Sequence, residues 1–180
     1  MIQELMLISL MAFLPTILFA AESNETAADA FKQLASLIGN WEGKFPDGRS
    51  HSVSYRLTAG GSVLVETWTL APGRESITLY HLDDNVLIAT HYCPQGNQPR
   101  LQFVKGDEPN KLSFKFRDGT NLQVKNKSHQ HAFWIRLLGN KSFERSETYI
   151  ENGSAPSKIT AISPGEAIKY TRIDTPSGNR

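Results

Sequence analysis

The chain has 180 residues with 19 basic and 18 acidic side chains, a formal net charge of +1. That balance gives no electrostatic case for nucleic acid or for an anionic membrane surface. With 21% charged and 39% hydrophobic residues, it is not collagen-like, coiled-coil or disordered.

Residues 1–20, MIQELMLISLMAFLPTILFA, carry one charged side chain, Glu4, and all three methionines. The run ends at Phe19-Ala20-Ala21, just before the polar Glu22-Ser23-Asn24. A short apolar run closed by small residues is the pattern of a secretory signal peptide, here cut near Ala20 or Ala21. The rival is an uncleaved anchor, which Pro15 and a run below about 20 apolar residues weaken. Cleavage leaves about 160 residues, enough for one domain with a real core. The expected location is outside the cell or in a bacterial periplasm, with no stable membrane insertion after cleavage. Cys93 is the only cysteine, so no internal disulfide forms and the core alone holds the fold.

One helix is expected over 26–38. Thr26 and Asp29 have capping-box spacing, and Ala27, Ala30, Phe31, Leu34, Leu37 and Ile38 recur at helical intervals before Gly39. So short a helix is marginal alone and suits a lid or plug on something larger. From Trp41 onward the period becomes two. Val53, Tyr55 and Leu57 alternate with polar neighbours, as do Leu112, Phe114 and Phe116. The runs 62–70, 76–82, 86–93, 100–105, 129–138, 142–150 and 167–173 are also β-branched and aromatic. Between the runs lie turn signals at Ala59-Gly60-Gly61, Asp83-Asp84-Asn85, Asp107 to Asn110, Asp118-Gly119, Gly139-Asn140 and Asn152-Gly153. Such short gaps force antiparallel neighbours, and a long meander leaves two open edges unless it closes. The expectation is an all-β, up-and-down antiparallel barrel of about eight to ten strands with a short N-terminal helix at one end. A two-sheet sandwich is the rival. The domain covers 21–173, and 174–180 reads as a loose tail.

Alternation puts His91 and Cys93 on a row with Leu87 and Ala89, and His81 with Ile77 and Leu79. His129 and His131 fall on a row with Phe133, Ile135 and Leu137. Rings two apart in a strand stand about 7 Å apart on one side, a spacing that suits two ligands of one metal. His91, Cys93, His129 and His131 are therefore a candidate set for zinc or copper. The same residues also read as polar pocket lining or as buried structural groups. His51 falls near the exposed start of its strand. Glu66, between Leu64 and Trp68, and Arg145 with Glu147 either line a pocket or pair inside the barrel, and pairing is the commoner outcome. Tyr55, Glu66, His81, His91, Cys93, His129 and His131 make up the candidate ligand-binding set. Trp68 and Trp134 read as barrel packing. The chain has no Gly-x-Ser-x-Gly elbow, phosphate-cradling glycine loop or His-Glu-x-x-His helix.

The segment Leu37-Ile38-Gly39-Asn40-Trp41-Glu42-Gly43 resembles the opening of the calycins, which enter their first strand through a short helix and a Gly-x-Trp. In those barrels the tryptophan plugs the closed end and a basic residue from the last strand crosses its ring. The resemblance assigns that role to Trp41 and Arg172. Tyr55 to Ser62, Val65-Glu66-Thr67, Tyr80 to Asp83, Thr90 to Cys93 and Gly96 to Arg100 look like a family of secreted bacterial calycin-like barrels. The likeness covers roughly residues 34–150 and implies fold and compartment, with no catalytic residue. Nitrobindin-like barrels hold haem through a histidine near the C-terminus, and no histidine follows His131 here.

Together these readings lead to a barrel that binds a small, largely apolar ligand in its interior. Two alternatives remain: a metal-dependent or acid–base enzyme using the histidines and Cys93, and a structural or partner-binding barrel with a filled interior.

Overall fold

The capping chemistry starts the helix where the spacing predicts. In α1 (Ala27–Ala35) the Thr26 hydroxyl accepts from the Asp29 N–H, and the Asp29 carboxylate accepts from the Thr26 N–H, both at 3.1 Å. The helix is shorter than the expected 26–38. After Ala35 the chain tightens into bonds from Leu37 N–H to Leu34 O (2.9 Å) and from Ile38 N–H to Ala35 O (3.3 Å). Gly39 follows with φ +129°, where a Cβ would also lie 2.5 Å from Arg172 Nη1, so both backbone and space require glycine.

The computed structural model describes residues 25–45, 48–71, 73–123, 127–151, 163–164 and 166–173. The expected signal peptide at 1–20, the turn at Asn152-Gly153 and the tail 174–180 lie outside the described residues. The strands are β1 (Gly39–Lys44), β2 (Ser50–Thr58), β3 (Val63–Ala71), β4 (Arg74–Asp83), β5 (Val86–Tyr92) and β6 (Gln98–Val104). They continue as β7 (Lys111–Thr120), β8 (Ser128–Leu137), β9 (Ser142–Glu151), β10 (Ser163–Pro164) and β11 (Ile168–Ile173). From β1 to β9 each strand pairs antiparallel with the next, and β11 then bridges β9 and β1. β10 and β11 share one edge of β9: Pro164 lies opposite Thr148, and Ile168 opposite Arg145. They act as one interrupted strand, so the barrel has ten staves and no free edge, and the sandwich is excluded.

One expected turn is not a turn. β7 runs through Asp118 and Gly119 to Thr120, with a register shift at Arg100/Leu101 on β6. Arg100 grips Asp118 through Nε at 2.5 Å and Nη2 at 2.6 Å. A Cβ on Gly119 would meet Gln98 O and Pro99 Cα at 2.8 Å. The glycine serves close strand approach here, a role that composition does not separate from turning.

The helix end is packed solid. α1 sends Ala30 and Leu34 into the core and touches β2, β4 and β5. Trp41 is fully buried, and its indole N–H donates to Leu37 O at 2.7 Å. Arg172 lies opposite it in register with its guanidinium 4.2 Å from the ring centre, as the resemblance implies. The same guanidinium donates to Ile38 O (2.7 Å), Ser36 O (3.2 Å) and Asn140 O (2.9 Å), so it also satisfies carbonyls beyond the helix end. Leu64, Tyr80, Leu87, Leu101, Leu112, Phe114, Phe133, Ile135 and Phe143 complete this half of the interior. Among the described residues no helix is long and apolar enough to cross a membrane.

Candidate functional site

The other half of the interior is hollow. A cavity of about 440 Å³ opens at the strand ends remote from α1, between the β1–β2 hairpin, the last residues of β3, β5 and β9, and the starts of β4, β8 and β11. Its apolar wall is aromatic. The His51 ring stacks on Phe45 with centroids 4.1 Å apart and on Trp68 at 5.3 Å. His51 Nε2 shares a hydrogen bond with the Tyr170 hydroxyl at 2.8 Å, and Tyr170 stacks in turn on Phe143. Burial pushes the His51 imidazole below its ordinary value, which favours the neutral ring.

The deep wall is polar. Glu66 is fully buried and accepts from Trp68 Nε1 (2.6 Å), the Tyr80 hydroxyl (2.7 Å) and Arg145 Nη1 (2.8 Å). Arg145, itself 2% exposed, turns its Nε to Glu147 Oε1 at 2.7 Å and lays its guanidinium 4.3 Å from the Phe133 ring centre. Burial alone would raise the Glu147 carboxyl, but the Arg145 guanidinium more than offsets this and holds it low. Burial and then the neighbouring Glu66 keep the Tyr55 and Tyr80 phenols protonated. Burial and Glu147 do the same for Tyr149. His91 is tethered through Nδ1 to the Thr78 hydroxyl at 3.0 Å, and burial keeps it neutral despite Glu147 and Glu66. Two buried atoms along this wall, Arg145 Nη2 and His91 Nε2, have no hydrogen-bond partner among the described residues.

The expected residues divide into three groups. His91 and Cys93 line the cavity, and burial pushes the Cys93 thiol up, so it stays protonated at neutral pH. Glu66 and Tyr55 lie behind the cavity wall, Glu66 in the arginine pair that alternation favoured. His81, His129 and His131 are not part of the lining. On β4 the inward row is Ser76, Thr78 and Tyr80, which leaves His81 on the outer face with Ile77 and Leu79. His129 and His131 gather instead against Phe116, with ring centroids 5.1 and 5.2 Å from it. The two rings stay 5.7 Å apart, and a register shift between Gln130 and Ala132 interrupts the row that was to join them to Phe133 and Ile135. The structure therefore does not bring His91, Cys93, His129 and His131 together. Among the described residues no three His, Cys, Asp or Glu side chains gather where a zinc or copper ion would need them.

Sequence reasoning missed His51, which is buried at 7% exposure in the cavity wall rather than exposed at a strand start. The signal was present: His51 shares the parity of Val53 and Tyr55, the inward row of β2. It also read Trp68 as packing alone, whereas the ring lines the cavity.

The fold and site define a class: a closed ten-stave antiparallel barrel, plugged at one end and hollow at the other. No protein-family model matches the sequence, and no curated protein is significantly similar to it. Among solved structures, the crystal structure of Rv2717c from M. tuberculosis is similar in fold. The match has a TM-score of 0.50 and 17% identity, and covers 81% of this chain and 98% of that one.

Proposed function

We propose that the barrel binds a small molecule with a largely apolar body in the cavity at its open end. The observation that carries this reading is the set of three unpartnered polar atoms, Arg145 Nη2, His91 Nε2 and His51 Nδ1, buried in the wall of an aromatic cavity of about 440 Å³. Leaving such atoms unpaired is costly, and a ligand that pairs them offsets the cost. An aromatic recess with a few convergent polar groups is also the usual form of a small-molecule site. In the same reading the chain is a calycin-like barrel, supported by Gly39, Trp41 and Arg172, and is exported after residues 1–20 are removed as a signal peptide.

Fluorescence titration with N-phenyl-1-naphthylamine tests the binding. Saturable enhancement is expected, and Ser76→Trp, which fills the recess from β4, should suppress it. Because Cys93 lines the cavity, bound probe should also slow alkylation of that thiol by N-ethylmaleimide, a readout that needs no variant. The reading fails if the probe gains no fluorescence, or if it gains fluorescence while alkylation proceeds at the unprotected rate.

A further inference from the structure

We infer that the cavity's ligand is an organic monocation, an ammonium group carried on an apolar body, and not a carboxylate or a neutral lipid. This deepens the binding reading above and rests on it.

The charges that face the deep wall do not balance. Glu66 meets three groups that all donate to it, the Trp68 indole N–H, the Tyr80 hydroxyl and the Arg145 guanidinium, so its chemistry is that of an ionised carboxylate. Glu147 accepts from the same guanidinium on its other edge. Arg145 is always protonated. The cluster thus sets two carboxylates, Glu66 fully buried and Glu147 partly exposed toward the cavity, against one guanidinium. His91, the adjacent titratable group, is kept neutral by its burial. At the mouth, Arg74 and Glu166 line the opening and Arg49 lies over the Phe45 ring, but all three are exposed, and water and salt screen them. The imbalance that a ligand meets is the Glu147 carboxylate in the cavity lining.

A ligand that fills the recess takes water from Glu147, and one carrying a single positive charge restores neutrality there. The walls accept the body that carries the charge, because Tyr170, Trp68 and Phe45 line the recess with apolar surface. In the tautomer that places the proton on Nδ1 toward Thr78, His91 Nε2 accepts an ammonium N–H. Arg145 Nη2 does not call for an anion, since its guanidinium already faces two carboxylates. It suits a neutral acceptor on the ligand, such as a hydroxyl, ether or carbonyl oxygen. A carboxylate ligand would raise the excess instead of cancelling it.

Calorimetry with naphthylmethylamine, naphthylmethanol and naphthoate at neutral pH presents one ring system with a positive, neutral or negative head. The amine should bind at least about tenfold more tightly than the alcohol, a modest part of what one charge gains in a partly buried site, and naphthoate should bind worst. Glu147→Gln should shrink the ratio of amine to alcohol affinity, and the wild-type ratio decides the matter if that variant does not fold. Alcohol or naphthoate binding as tightly as the amine overturns this inference while leaving cavity binding intact. No binding by any of the three, while N-phenyl-1-naphthylamine still binds, also overturns it. Failure of that probe as well overturns the binding reading itself.

Discussion

Arg145→Met tests the polar wall where most is at stake. The substitution keeps an unbranched side chain but removes the bonds to Glu66 at 2.8 Å and Glu147 at 2.7 Å. Glu147 opens toward the cavity and recovers water, whereas Glu66 is fully buried and keeps only Trp68 and Tyr80 as donors. Removing one partner of a buried pair costs about 3–5 kcal/mol, because the survivor is an uncompensated charge. For a domain of this size that is a fall of roughly 6–20 °C in Tm. Adding Glu66→Gln should restore most of the loss, since both charges are then gone. Denaturant unfolding of the two variants at neutral pH is the assay. A loss below about 1 kcal/mol in Arg145→Met, or a double variant no better than the single one, would refute the ion-pair reasoning.

Three further expectations follow from the structure. Trp41→Ala should cost about 3–5 kcal/mol and Arg172→Ala less, with non-additive losses because guanidinium and indole touch; additive losses in a double-mutant cycle would argue against the contact. His51 and His91 are both held below the ordinary imidazole value, chiefly by burial, so the unfolded chain binds protons more readily just below about pH 6.5. Stability should thus be full above that value and decline as pH falls through the folded-state values, with His91→Gln removing part of the decline; a flat profile from about pH 7.5 to 5 would count against it. If residues 1–20 are a signal peptide, intact mass of exported protein should begin near Ala21 or Glu22, and a full-length chain in the membrane fraction would contradict this.

The closed end was legible in the sequence because its determinants are local. Thr26 and Asp29, the helical spacing to Leu34, Gly39 and Trp41 all lie within a short stretch, and only Arg172 acts from afar. The barrel followed from alternation and short gaps. The cavity did not, because alternation gives two rows without saying which faces inward. On β4 the apolar row of Ile77 and Leu79 faces out, while Ser76, Thr78 and Tyr80 face in to serve a polar wall. Reading apolar as inward therefore put His81 on the wrong side. Register shifts at Gln130/Ala132 and Arg100/Leu101 broke rows that a strict period of two kept whole, and with them the proposed gathering of histidines. The Arg145–Glu66 pair joins positions 79 residues apart, so a pairing could be favoured in advance but not located in space.

The three tryptophans report on three different places, which makes their indole N–H resonances the most direct test of cavity binding. Trp41 donates to Leu37 O at the plugged end, and Trp134 lies outside the cavity lining between Lys111 and Arg136. Trp68 stands in the cavity wall. In uniformly ¹⁵N-labelled protein titrated with N-phenyl-1-naphthylamine, the resonance that disappears in Trp68→Phe should move saturably while the other two stay in place. Movement of the Trp41 or Trp134 resonance with Trp68 unmoved, or no movement of any, would contradict binding in the open end of the barrel.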